Sequence, residues 1–474
     1  MKQILLKTLL FIYLLPVSNC QTDWTYSSLS QKKRSMGAVA IGSKVWFAGG
    51  EYYVKNGNGA ERHVIDTVEI FDTKDQSKSF AKLSVARSGL NVATAGGKIF
   101  FAGGIEGILP SGFFKVSDIV DIYDTSTGIW SVEKLSVARY EMVSTVVGDK
   151  VIFAGGRLMN YHVSDVVDIY DVSTGLWSQQ QLPMPTFGMG VAVAENKVYF
   201  AGGFDVYPKD NPDYFVRKRI DIYDVETDAW SIDSLSQARC YVGGAVVRDR
   251  ILLAGGSLGL EQSNRVDIFN LKTKKWSMDS LSVGRSFLNN NVATVCDKVH
   301  FVGGDCYNVS AFLVGFVCNY NQIDIYDYQT NQWSQDTLPN GGLADHIVLA
   351  VEDNLLVAGG ITLKGWFPTL HDEIIIRPCN LTPTNETMTT INEKVDVYPN
   401  PAGDQFFIRV GDEENLNLAT LIVKDSKGNT VMYKQGYHIL ENHDISNWNS
   451  GIYFVYVHVS GYGPPVKLVV LKQH

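Results

Sequence analysis

Along this chain, short apolar runs end in paired glycines at near-regular intervals. They read KVWFAGG at 44–50, KIFFAGG at 98–104, KVIFAGG at 150–156, KVYFAGG at 197–203, RILLAGG at 250–256, KVHFVGG at 298–304 and NLLVAGG at 354–360. The pairs begin 47 to 56 residues apart, a period that marks a repeat architecture. Ahead of each run stands an apolar stretch and a tight turn, as in EMVSTVVG and GDK, which together predict a β-hairpin. Behind it come an alternating segment such as DVVDIYD, a polar turn such as VSTG, and a tryptophan strand such as LWSQQQL. Each unit therefore reads as four antiparallel strands, A to D.

The third strand recurs as TVEIFD, IVDIYD, VVDIYD, RIDIYD, RVDIFN and QIDIYD, and the fourth carries Trp130, Trp177, Trp230, Trp276 and Trp333, with Phe80 expected in the same place. One copy is displaced. DWTYSSLS, with Trp24, has the form of a fourth strand but precedes the first unit, while the last unit ends after HDEIII at 371–376. A ring whose N-terminal strand completes the last blade accounts for both ends and leaves no bare sheet edge at the closure. The Gly-Gly pair, the aromatic of DIYD, the tryptophan and an arginine before strand A in SVARS, SVARY, SQARC and SVGRS together resemble the Kelch repeat over about residues 22–377. The resemblance implies an all-β fold, a seven-bladed Kelch-type β-propeller by count of Gly-Gly units; six blades with an irregular seventh is the other count. Most of these residues read as structural: glycine lets backbones approach closely, and Trp and Tyr fill the wedge between blades.

After RPCNLTPTNETMTTINEK the repeat signal ends, and residues 378–394 read as a Thr/Pro/Asn-rich linker. Short alternating strands follow at 395–474, predicting a small immunoglobulin-like β-sandwich. Its YPNPA, GIYFVYV and closing VKLVVLK, in that order, resemble the C-terminal sorting domain of type IX secretion substrates of Bacteroidetes-type bacteria. That resemblance implies engagement of the type IX machinery by the tail and delivery to the cell surface or the medium. Residues 1–20, with Lys2 and Lys7 before an apolar run, read as a secretory signal peptide. Cleavage after Cys20 is the favoured reading; lipidation of Cys20 is its rival.

A net charge of −9 with no basic run argues against a nucleic-acid or acidic-membrane ligand, and no other segment is long and apolar enough to span a bilayer. The other five cysteines match no zinc pattern; Cys306 and Cys318 bracket one loop and form either a local disulfide or two free thiols. No nucleophile elbow, HExxH helix, P-loop or dinucleotide fingerprint is present, and the scattered histidines converge on no metal site. No cofactor is expected.

Antiparallel blades bring the B–C loops and the D–A connections to one face. The B–C loops are the divergent, aromatic ones, with Tyr53, Phe114 and Trp366 among their rings, and loops on a rigid scaffold are where ligands bind. Arg34, Arg87, Arg139, Arg239 and Arg285 precede strands A of blades one, two, three, five and six. In Kelch propellers that bind acidic peptides such arginines help form the ligand face, so the resemblance implies an acidic ligand here; the alternative is that they brace their blades. Two functions stay open: a secreted or surface-displayed protein binding a glycan or an extracellular protein, and an exported carbohydrate-active enzyme of the sialic-acid mutarotase type. The copper-radical oxidases of the same fold need a histidine and tyrosine site that this sequence lacks.

Overall fold

The computed structural model describes residues 24–379 apart from 57–58, 111, 207–213, 260, 287, 289–290, 306–318 and 365–366. In the C-terminal region it describes residues 395–398, 405–410, 417–425, 430–438, 443–459, 461–462 and 466–470. The signal-peptide segment, Cys20, Cys306, Cys318 and Trp366 lie outside the described residues. The chain divides into two compact units, residues 1–382 and 383–474.

The first unit is a propeller of seven four-stranded antiparallel sheets. Blade three shows the pattern: strands A to D are Val143–Val147, Lys150–Ala154, Val166–Asp171 and Leu176–Gln181, paired in that order. Strand B is buried along almost its whole length in every blade, since it has a sheet neighbour on each side and a blade against each face. Blade seven draws its fourth strand from the other end of the chain. Thr25–Ser28 pairs antiparallel with Glu373–Ile376, setting Thr25 opposite Ile376. Leu29, just beyond, is buried among Met36, Phe47, Leu356 and Ile374.

The paired glycines are a latch between blades. Both take left-handed φ, 66° and 103° at Gly202 and Gly203. A Cβ on Gly202 would stand 2.0 Å from the carbonyl oxygen of Arg239 in the next blade, so only glycine fits. With that space open, the amide of Gly203 donates to the same carbonyl at 3.0 Å, and Gly50, Gly104, Gly156 and Gly256 repeat the bond one blade on. Farther out, Tyr170 and Trp177 pack edge to face within a blade, and the Trp276 and Trp333 indoles each donate at 2.8 Å to an aspartate on the preceding fourth strand. Phe80 does not share the tryptophan position. Phe71 pairs with Lys78, whereas the equivalent Tyr123 pairs with Trp130, so Phe80 sits two residues farther along and is exposed.

A disulfide that spacing alone did not reveal joins Cys296, after strand A of blade six, to Cys379, after strand C of blade seven, with Cα atoms 6.1 Å apart. Cys240 is a buried free thiol. The second unit contains one sheet of Val395–Tyr398, Gln405–Val410 and His443–Asp444, and another built around Asn417–Asp425, Thr430–His438 and Gly451–Val459.

Candidate ligand-binding face

The register of the D–A connections places the predicted arginines, and four of the five do not reach the face. Arg87, Arg139, Arg239 and Arg285 have no exposed side-chain surface. Arg87 turns into its own blade and donates to the carbonyls of Gly103 at 3.0 Å, Ile119 at 2.6 Å and Phe101 at 3.3 Å, and to the Asp121 carboxylate. Arg139 with Asp168, Arg239 with Asp267 and Arg285 with Asp324 repeat the pairing. Burial draws the Arg239 guanidinium down to about 10 against the pull of Asp267. These four residues brace strands B and C, and the ligand role that the resemblance implied for them is corrected. The physical reason is that a guanidinium can satisfy several buried carbonyls and one carboxylate together, which suits a strand end where carbonyl oxygens with a spare lone pair converge.

Arg34 lies one residue out of that register. The brace position of blade one is Lys33, buried and drawn down to about 8 by burial despite nearby Glu69. Arg34 instead shares the next position with Ser88, Tyr140, Phe187, Cys240, Ser286 and Ala344. Each of these bridges the residue after the Gly-Gly pair of its own blade: Glu51, Ile105, Arg157, Phe204, Ser257, Asp305 and Ile361. These two columns are fixed in register yet vary from blade to blade; Arg34 and Arg157 are half-buried and the others are buried.

In blade one, Arg34 donates to Glu51 at 3.0 Å and to the Tyr53 hydroxyl at 2.9 Å, and Tyr53 donates to Glu51 at 3.0 Å. Arg62, on the returning strand of the same hairpin, donates to the other Glu51 oxygen at 2.7 Å and to Ser88 of blade two at 2.7 Å. Burial alone would raise the Glu51 carboxyl, but Arg34 and Arg62 overrule it and hold it below its ordinary range. Across the ring closure, Ser35 donates to Asp345 of blade seven at 2.7 Å, and Arg34 stands 4.0 Å from the same carboxylate.

The Arg62 guanidinium also lies 5.7 Å from the Phe114 ring centre, which leads to the second cluster. Phe114 meets Tyr140 and Tyr161 edge to face, and Arg157 lies over Tyr140, Tyr161 and Phe187 at 5.6, 5.0 and 4.8 Å. Phe187 stacks on Phe204, which meets Tyr241. Glu141, 3.6 Å from Arg157 and 39% exposed, has its carboxyl raised because the protein crowded around it displaces water, which outweighs the pull of Arg157. Tyr241 is pushed well above its ordinary value, first by burial and then by Glu141. Ser35, Glu141, Tyr241 and Asp345 all hold φ near 51–52°, with Gly89 and Gly188 at the matching places, so these residues ring the axis at equivalent points of their blades.

Of the residues expected at a site, the structure brings Arg34, Tyr53 and Phe114 together and adds Glu51, Arg62, Tyr140, Glu141, Arg157, Tyr161, Tyr241 and Asp345. The signal that finds the bridging pairs is variation at a fixed offset from the Gly-Gly pair; recurrence, as at the brace arginines, marks a shared structural task.

An all-β ring of seven four-stranded antiparallel blades defines a β-propeller. Residues 238–278 match the Kelch motif and residues 396–470 match the secretion system C-terminal sorting domain. The chain is a Kelch-repeat β-propeller carrying a type IX secretion sorting domain. No curated protein matches it. Among solved structures, one described as "Structure of YjhT" is similar at 17% identity and a TM-score of 0.48, covering 76% of this chain and 97% of that one.

Proposed function

We propose that the protein is exported by the type IX route, retained at the cell surface or released, and that its propeller binds a carboxylate-bearing ligand, on a glycan or an extracellular protein. Arg34, Arg62 and Arg157 would receive the acid, with Tyr53, Phe114, Tyr140 and Tyr161 as the surrounding rings. The observation that supports this most is the placement of Arg157. It is a guanidinium framed by three aromatic rings, in a column where the other blades carry Glu, Asp, Ile, Phe or Ser. A guanidinium can grip a carboxylate through two parallel hydrogen bonds, each worth roughly 1.5–3 kcal/mol. A screen of the full-length protein against glycan and surface-protein panels identifies the ligand, and Arg62→Ala and Arg157→Ala are each expected to weaken it about tenfold or more. Unchanged binding in both variants would remove the face as the site.

A second reading, sugar anomerisation, is favoured by Glu141, a partly exposed carboxyl raised above its ordinary value beside Tyr241. An anomerisation assay with Glu141→Gln as control separates the two: turnover that this variant abolishes supports the enzyme.

A further inference from the structure

The seam between blades six and seven differs from every other seam of the ring. At the third residue of strand B, six blades carry Trp46, Phe100, Ile152, Tyr199, Leu252 and Leu356, and blade six carries His300. This position faces the following blade: Trp46 meets Tyr123 at 4.7 Å and Phe100 meets Tyr170 at 5.0 Å. Three residues past the brace position, six blades carry Met36, Leu90, Met142, Met189, Val242 and Leu288, and blade seven carries His346. This second position tucks under the Gly-Gly pair of the preceding blade, as Met142 does beneath Gly103 and His346 beneath Gly303. Both histidines thus enter one seam from opposite sides. They are 7% and 2% exposed. Nδ1 of His300 and both ring nitrogens of His346 find no hydrogen-bond partner among the described residues.

The groups facing them make a proton still less welcome. His300 faces Arg377 on strand C of blade seven and has Lys298 on its own strand. Arg377 is itself paired with Asp336 of blade six and lies 5.6 Å from the Trp24 ring centre. His346 faces Arg285, whose carboxylate partner is Asp324, already shared with Ser282. Asp345, next to His346 in the chain, is engaged by Ser35 and stands near Arg34. No carboxylate in the seam hydrogen-bonds either ring among the described residues. Beyond the histidines, the Cys296–Cys379 disulfide ties blade six to blade seven across the same seam.

We propose that this seam is an acid-sensitive gate in the ring: it loosens when His300 and His346 take up protons, and the Cys296–Cys379 bridge keeps the parted blades tethered so that they can close again. An imidazolium approached only by backbone of Lys298 and Ala293 at His300, or of Val302 at His346, and by no carboxylate must in a dry seam be solvated or expelled, and parting the blades solvates both rings at once. Burial holds both rings at about 4 in the fold, below their ordinary 6.5. The stabilisation from keeping them neutral is therefore complete above about 6.5 and is lost as pH falls toward about 4.

The test follows the full-length protein from pH ~7.5 to ~4. Ring signals of 13C-labelled histidine are expected to show both side chains titrating well below the ordinary histidine range. After correction for intrinsic exchange, amide protection should fail first in Lys298–Val302 and Ile347–Val351. The double variant His300→Phe, His346→Leu, which installs residues that the same columns carry elsewhere, should keep that protection through the acid range and melt several degrees above the parent there. Replacing Cys296 and Cys379 by serine should make the acid opening of the parent irreversible. Rings titrating at their ordinary value, or protection lost evenly around the propeller, would overturn the gate even if the double variant failed to fold; an acid loss in the double variant equal to the parent's would do the same.

Discussion

One side chain ahead of each strand A decides how the blade is held, and the chain uses both polar and apolar solutions. In blade three Arg139 meets Asp168, both buried; at the matching positions of blade seven Leu343 and Ile375 are buried in one apolar cluster. Removing one partner of a buried ion pair strands the other charge and costs about 3–5 kcal/mol, whereas replacing both with apolar groups of similar volume is often neutral or stabilising. Arg139→Leu should therefore lower the urea midpoint sharply, and the double change Arg139→Leu, Asp168→Ile should recover most of the loss. Binding at the face should survive the double change, because neither side chain reaches it. Denaturation curves and a binding assay on the same samples check both halves; a double variant as unstable as the single one would show that the brace does more than satisfy its own charges. The brace was visible in the sequence as a recurring arginine, but its burial was not, since an arginine can turn inward or outward from the same register. Blade one hides it further: the adjacent Lys33 and Arg34 are both basic, and only the bridge of Arg34 to Glu51 separates their roles.

At the scale of the strand, alternation and turn residues made strands A to D legible wherever a blade repeats its neighbours. Register was readable only where a landmark survived: Trp130 and Trp177 mark it, while Lys78 removes the landmark from blade one and leaves Phe80 to mislead. The hairpin that carries Glu51, Tyr53 and Arg62 could be seen as a loop of unusual composition, but not as a paired ladder from Glu51–Asn56 to Gly59–Val64, because its pairing has no counterpart in blades three and five to confirm it. The N-terminal strand permits a direct test of closure. Removing residues 22–30 would uncover Glu373–Ile376, withdraw Leu29 from its cluster and take Ser30 from the buried Glu69 carboxylate, which it engages at 2.7–3.0 Å. Burying one leucine contributes about 1.5–3 kcal/mol, and an open apolar edge invites pairing with another chain. The truncated protein should melt well below the parent and associate in a concentration-dependent way by light scattering; an unchanged melting temperature would mean that the strand decorates the ring without closing it.

Over the whole molecule, stability and address reside in different compact units. Among the described residues the apolar clusters between blades are built from propeller residues, which gives that domain a core of its own. A repeat ring in which each blade packs on its two neighbours draws its stability from those neighbour contacts. The sorting domain was legible from the order of its motifs, because they follow one another along a single continuous segment, residues 396–470. The ligand was not legible for the opposite reason: the face is assembled from residues scattered around a ring, with Arg34, Arg62, Arg157 and Asp345 contributed by three blades far apart in sequence. Deleting residues 395–474 should therefore leave the melting temperature, the acid sensitivity of the seam between blades six and seven, and any ligand affinity of the propeller unchanged, while the protein stops short of the cell surface and accumulates in the periplasm. Fractionation of producing cells measures the location, and calorimetry of the periplasmic product measures the melting temperature. A truncated protein that is misfolded in the periplasm would make the tail part of the folding unit, and one that still reached the surface would place the address elsewhere in the chain.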